Sequence, residues 1–388
     1  MAALIVVLAL LMSCAAVIAA VDAVPLLRRW VLRIHIGQWA GDEEWKDAVE
    51  KALLNMAKNT PRVPASQHER LTFIERVKGI YYSDRLQLWQ EAYTLAALNG
   101  LPPSGQRDGL IEKMISKRFD GGEWIAAPDS PECAAFAWAV LISPLYSEQL
   151  AGGAMRETAE YLKSAAGENG TVPYNKAAPA IRYVDTVGMV CPFLAEYAAA
   201  FGDSGALALC ERQMREYCEY GLHNQFNIPV HCFGQNNLVP MGIYGWGRGC
   251  GWLAVGMMNT FKALLKSQST PEIKQLQLYL LKKMVAYADS LLGYQTDQGS
   301  WCRQLSVWDF GETSATGMLA YYMKSMHRLT GMEKYGEAAR RADVFLMKCT
   351  RKNGALDYAQ GDTAGIGFYS VRLDAMPAAQ AFCLMGLQ

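Results

Sequence analysis

Trp246-Gly247-Arg248-Gly249-Cys250-Gly251-Trp252 runs directly into the apolar stretch Leu253-Ala254-Val255-Gly256-Met257-Met258. Two indoles flank one guanidinium, and three glycines remove the side chains between them. Arginine carries a planar, permanently charged fork that matches a carboxylate. An indole face is a flat apolar platform for a sugar ring or a cation. Glycine lets backbone approach a ligand closely. The stretch reads as a loop that ends in a helix N-terminus, where free N–H groups and the dipole favour an anion. The alternative is an aromatic loop packed within its own domain, with Arg248 as a structural donor.

Outward from this point the chain reads as helix after helix. The spacing predicts helices over 43–58, 84–99, 106–118, 131–147, 153–166, 185–201, 204–221, 251–267, 271–293, 313–329, 333–350 and 374–387. Apolar residues recur at three- and four-residue steps, as in Ala92, Leu95 and Ala96. Gly and Pro punctuate the runs, at Asn99-Gly100-Leu101-Pro102-Pro103, Gly167-Glu168-Asn169-Gly170, Gly202 and Gly331. Short links make consecutive helices antiparallel hairpins, and long Val/Ile/Thr alternations are scarce, so strands should be few and short. Four longer loops read as sharing a glycine, an aromatic and polar residues: 120–124 with Trp124, 170–174 with Tyr174, 297–301 with Trp301, and 352–356, which has the glycine without an aromatic. Hairpins repeated around a ring would gather such loops at one mouth. The plain reading of the same residues is helix caps and staples.

Composition narrows the class. The chain has 388 residues, 51% of them apolar, with 37 basic and 37 acidic side chains. That is ample for a large core and gives no basic stripe, so nucleic acid is not an expected partner. Ten cysteines show no C-x-x-C pair, and five histidines show no H-E-x-x-H spacing. No metal or cofactor is expected, and most thiols read as buried small hydrophobes.

Ala2 to Val21 is an almost unbroken apolar run, followed by Arg28, Arg29 and Arg33. About twenty helical residues cross a hydrocarbon core of roughly 30 Å. No basic residue precedes the run, as a cleaved signal peptide would require. The expected organisation is a single-pass anchor or signal-like segment over 1–22, a juxtamembrane linker over 23–40 and one domain over 41–388. By the positive-inside rule the arginines on its C-terminal side favour the cytoplasmic side for that domain, with the opposite side left open.

Three further stretches could carry chemistry. Pro128-Asp129-Ser130-Pro131-Glu132 opens a helix, and Asp129 or Ser130 is placed as its N-cap. Asp185, in Arg182-Tyr183-Val184-Asp185-Thr186, starts a very apolar helix. It can cap that helix, or burial can raise its pKa until it serves as a general acid. Trp301-Cys302-Arg303-Gln304 and Gly311-Glu312-Thr313-Ser314-Ala315 feed another helix N-terminus, with capping as the plain reading.

Taken in order, Val184-Asp185-Thr186 with Pro192-Phe193-Leu194-Ala195, the Trp246–Trp252 stretch, Gly299–Gln304, Glu312–Ala315 and Gly365-Ile366-Gly367 resemble the unsaturated glucuronyl and rhamnogalacturonyl hydrolases, glycoside hydrolase families 88 and 105. The resemblance implies an all-α (α/α)6 barrel of six helical hairpins, here behind an N-terminal transmembrane helix. It implies hydration of the C4=C5 vinyl ether of a 4,5-unsaturated uronic acid at the non-reducing end of a lyase-generated oligosaccharide. Asp185 matches the proton donor and base, and Asp129 the second essential carboxylate. Arg248 and Trp252 match residues that hold the uronate, and His231 an active-site histidine. Trp246 and Trp301, within matching segments, are the further candidate platforms. The sequence departs from the family after His231, where Cys232-Phe233-Gly234-Gln235 replaces a glycine, an aromatic and an aspartate. The alternative from another class is a carbohydrate-binding or polysaccharide-assembly relative without catalysis.

Overall fold

The computed structural model describes residues 1–388 apart from 62, 64–72, 74–76, 79–86, 168–169, 308–310 and 364. Among the described residues, α1 (Ala2–Arg33) precedes twelve helices that alternate between two layers. The inner layer is α3 (Leu88–Asn99), α5 (Pro131–Leu141), α7 (Val184–Phe201), α9 (Gly247–Lys266), α11 (Thr313–Thr330) and α13 (Pro377–Leu387). The outer layer is α2 (Asp42–Lys58), α4 (Gly105–Ser116), α6 (Glu148–Ala166), α8 (Ser204–Tyr220), α10 (Pro271–Leu292) and α12 (Glu333–Lys348). Each inner helix packs on the next inner helix, and α13 closes the ring against α3. This is the (α/α)6 barrel, and every expected helix is present. Residues 84–86 of the 84–99 expectation, and His68, lie outside the described residues.

The layers follow from the apolar patterns. Inner helices are apolar nearly all round: in α5, Pro131 and every residue from Cys133 to Val140 are buried. Outer helices carry a single stripe, as in α12, where Tyr335, Ala338, Ala339, Ala342, Phe345 and Leu346 face inward. The tightest seam is α7 against α9. A Cβ on Gly256 would lie 2.6 Å from the carbonyl oxygen of Val187, and one on Gly188 would lie 2.9 Å from that of Trp252. Backbone cannot swing aside as a side chain can. Gly256→Ala should therefore lower stability by about 1–3 kcal/mol, read as a fall in denaturant midpoint.

Among the described residues, two helices are long and apolar enough to cross a membrane. Val184–Phe201 is 72% buried inside the barrel and is its core helix; Ala2–Arg33 is wholly unburied over its apolar window. Within the stretch expected as a linker over 23–40, helix α1 continues through Pro25 to Arg33, and Arg33 is pinned to the barrel by two 2.9 Å bonds to the Asp357 carboxylate.

Seven short strands complete the described residues. One sheet matters for function: β3 (Ile181–Tyr183), β4 (Val230–Gly234) and β5 (Pro240–Tyr244), antiparallel in that order. Strand β3 runs without a break into α7. A two-stranded ribbon, β6 (Ala359–Gln360) with β7 (Leu373–Asp374), lies before α13.

Candidate active site

Helix α9 begins at Gly247, four residues earlier than expected, so Arg248 sits in its first turn. The glycines are packing residues. A Cβ on Gly247 would lie 2.3 Å from the Cys302 carbonyl oxygen, and one on Gly249 would lie 2.7 Å from the Trp246 ring. Trp246 donates its indole N–H to Gln360 Oε1 at 3.0 Å. Arg248 is 2% exposed, and its two terminal nitrogens donate to four protein acceptors. Nη1 reaches the Gln360 carbonyl at 2.8 Å and Ser314 Oγ at 3.4 Å; Nη2 reaches the Gly361 carbonyl at 3.1 Å and Thr363 Oγ1 at 3.2 Å. The fork thus clamps segment 360–363 onto α9, as the structural-donor alternative anticipates. What remains for a ligand is its buried positive charge.

That clamp closes one side of a cavity of about 250 Å³ lined by Asp185, His231, Arg248, Asp362, three tryptophans (Trp89, Trp246, Trp252) and the tyrosines Tyr174 and Tyr183. Cavities for drug-sized ligands run from about 300 Å³ upward, so this one suits a single ring. Asp185 lies in the first turn of α7 but does not cap it; the N-cap is Tyr183. Its Oδ2 is buried and makes no hydrogen bond, with His231 Nε2 3.7 Å away. Burial raises the Asp185 carboxyl to about 7, with Asp362 and Glu132 adding to the rise. Its own backbone N–H and the Arg248 charge work against that rise. Asp362 is raised to about 6, also by burial, against the pull of Arg248.

His231, on β4, is 4% exposed. Burial and then the Arg248 charge lower its pKa to about 4, so the imidazole is neutral near pH 7. Its Nδ1 lies 2.9 Å from Tyr369 Oη, which also accepts the Ile243 N–H at 3.2 Å. Rings of Trp246 and Tyr183 stand 4.7 and 5.5 Å from the imidazole and fix its plane.

The structure thus brings Asp185, His231, Arg248, Trp246 and Trp252 to one cavity. It does not bring Asp129 or Trp301. Asp129 is exposed on the loop before α5, because helix geometry turns the residue three positions on, Glu132, toward the ring. Trp301 is fully buried and donates to the Leu291 carbonyl at 2.9 Å, as a core staple. Of the four decorated loops, only 170–174 supplies a wall, through Tyr174. Trp124 donates to Thr158 Oγ1 instead, and Leu356 is core. The Glu312 cluster is the cap expected on the plain reading: its carboxylate accepts the Ser314 and Ala315 N–H groups, each at 2.7 Å.

Two carboxyl groups escaped the sequence reading. Glu132 accepts from the Trp89 N–H at 3.3 Å and the Tyr174 hydroxyl at 3.4 Å, and burial raises it to about 7. It stood in the quoted stretch one helical turn past Asp129, so the helix phase could have found it. Asp362 has no such local signal; only the Arg248 clamp brings it in. Because Glu132 is a like charge that raises Asp185, Glu132→Gln should lower the Asp185 pKa. The alkaline limb of the pH–rate profile should then move to lower pH.

An (α/α)6 ring with an aromatic-walled cavity and buried carboxyl groups is the class of site suited to a sugar ring. The chain belongs to glycosyl hydrolase family 88, whose model matches residues 135–385. Solved structures agree on the fold. A possible family 105 member from Salmonella enterica superposes with a TM-score of 0.72 at 18% identity, over 90% of this chain and 94% of that one. A family 105 glycoside hydrolase from C. acetobutylicum gives 0.68 at 15% identity, over 87% and 97%. The unsaturated glucuronyl hydrolase of Bacillus sp. GL1 gives 0.61 at 13% identity, over 88% and 94%. No curated protein matches the sequence.

Proposed function

We propose that the protein removes a 4,5-unsaturated uronic acid from the non-reducing end of an oligosaccharide by hydrating its C4=C5 bond. The observation that carries this reading is the Asp185 carboxyl: buried, with an unpartnered Oδ2, and raised to about 7 inside an aromatic cavity. Protonated, it delivers its proton to C4. Water adds to the oxocarbenium carbon C5, and the same carboxylate takes the water's proton. The C5 hemiketal opens to a ketone, which leaves the former ring oxygen as a hydroxyl on C1. That C1 hemiacetal collapses to an aldehyde, and the C1–O bond to the neighbouring sugar breaks with the proton passing to the departing oxygen. Neutral His231, 3.7 Å from Oδ2, orients the acid. Arg248 supplies fixed positive charge to balance the uronate carboxylate, and the indoles of Trp246 and Trp252 give the ring a face. The name of the Bacillus relative, a glucuronyl hydrolase acting on unsaturated substrate, and the family membership support the substrate class. Helix α1, by its length and apolar surface, would hold the barrel at a membrane.

The pH dependence follows from the acid. Asp185 must carry its proton, so the catalytic rate should fall about tenfold per pH unit above about 7. The histidine titrates near 4 and leaves the rate unchanged between pH 5 and 7. The assay is loss of absorbance of the conjugated double bond on a panel of lyase-generated disaccharides. Binding of these disaccharides without turnover on any of them would favour the non-catalytic relative.

A further inference from the structure

A second cavity, of about 350 Å³, lies where the foot of α1 meets the barrel, and segment 359–363 borders both it and the aromatic site. Among the described residues its walls carry Arg28, Arg29, Arg351 and Arg372 and one carboxylate, Asp374. Arg351 is satisfied: Nε donates to Asp357 at 2.6 Å and Nη2 to Asp374 at 2.7 Å. Arg372 is not. Nη2 reaches Asp374 Oδ2 at 3.1 Å, while Nε and Nη1 are buried with no hydrogen-bond partner. Arg29 Nε is likewise buried without a hydrogen bond, 3.6 Å from the same oxygen. The side chains of Arg372 and Arg29 are only 10% and 15% exposed. Two of the arginines that line the cavity therefore carry, between them, three buried guanidinium nitrogens without an acceptor among the described residues. Buried charged donors left in this way are costly, and an anion with several oxygens removes the cost.

We propose that this cavity binds a phosphate group, presented by the headgroup of an anionic membrane lipid. Several oxygens on one centre match guanidinium forks that converge from different directions. The position names the source. Arg28 lies seven residues past Val21, about 10 Å along the helix axis, at the level of the lipid phosphates on leaving the hydrocarbon core. Beside it Trp30 is 66% exposed, Leu27 59% and Val31 57%, an aromatic and apolar face suited to the membrane interface. A lipid held here would fix the tilt of the barrel on the bilayer, whatever the barrel's substrate.

The test uses the full chain in neutral detergent micelles, with native mass spectrometry and thermal unfolding as readouts. Phosphatidylglycerol, phosphatidylcholine and inorganic phosphate are added separately. One phosphatidylglycerol per chain should be retained in preference to phosphatidylcholine, and should raise the melting temperature. Arg372→Gln and the exposed, network-free Arg28→Gln should each weaken retention roughly tenfold or more. Arg340→Gln, an exposed arginine on α12, should leave it unchanged. Displacement of the lipid by millimolar inorganic phosphate would overturn the lipid source and assign the site to the free anion. Undiminished retention in R28Q and R372Q, or an equal loss in R340Q, would overturn the site itself. If R372Q does not fold, R28Q and Arg372→Lys carry the comparison, the lysine variant keeping charge but losing the fork.

Discussion

Asp185→Asn should reduce turnover by at least 10²–10⁴-fold, the contribution of a positioned general acid, and leave the barrel folded. The amide has the shape of the carboxyl but no acidic proton, so C4 cannot be protonated. It fits the site because Oδ2 already lacks a partner and because the resident group is itself neutral below about pH 7. A second readout separates this from simple damage. The Asp185 pKa is raised on folding, so the folded state holds its proton more tightly than the unfolded state does. The stabilisation is fully present below the unfolded value near 4 and is lost as pH rises to about 7. The asparagine variant lacks that loss. Relative to the parent it should gain stability between pH 5 and pH 8, measured by denaturant midpoints at both. Wild-type turnover in the variant, or no change in relative stability with pH, would remove Asp185 from its role.

Arg248→Met should be the most destabilising single change at the site, by about 3–5 kcal/mol, the usual scale for stripping one partner from a buried charged cluster. It leaves the Gln360 and Gly361 carbonyls, Ser314 Oγ and Thr363 Oγ1 without their donor. It also removes the one charge that holds the Asp185 and Asp362 carboxyls down. Both pKa values should rise further, so any remaining activity should persist to higher pH. Arg248→Lys keeps the charge but cannot reach four acceptors. It should restore the pH profile while recovering only part of the stability. Urea unfolding and the pH–rate profile together distinguish the clamp from the charge.

The contrast between Asp185 and Asp129 shows what was legible. Asp185 stood at the start of an apolar helix, and an apolar helix in a ring is buried on every side, so desolvation of its first-turn carboxyl followed from the pattern. Asp129 stood in an equally suggestive place, but it precedes α5 rather than belonging to it, and its side chain stays in water. Glu132, one turn on, takes the inward direction. Trp301 and Trp246 illustrate the same limit for aromatics: both lie in glycine-rich segments, yet one is a staple beneath α10 and the other a cavity wall.

Sequence alone determined the twelve barrel helices and the apolar N-terminal segment, because these are local patterns, each written within a score or so of neighbouring residues. Only the tertiary structure decided which carboxyls share a cavity, that the Arg248 fork is spent on segment 360–363, and that α1 continues to a docking arginine. Those are meetings between residues as much as 324 positions apart, as for Arg33 and Asp357. They depend on how the ring closes, and no local pattern encodes that closure.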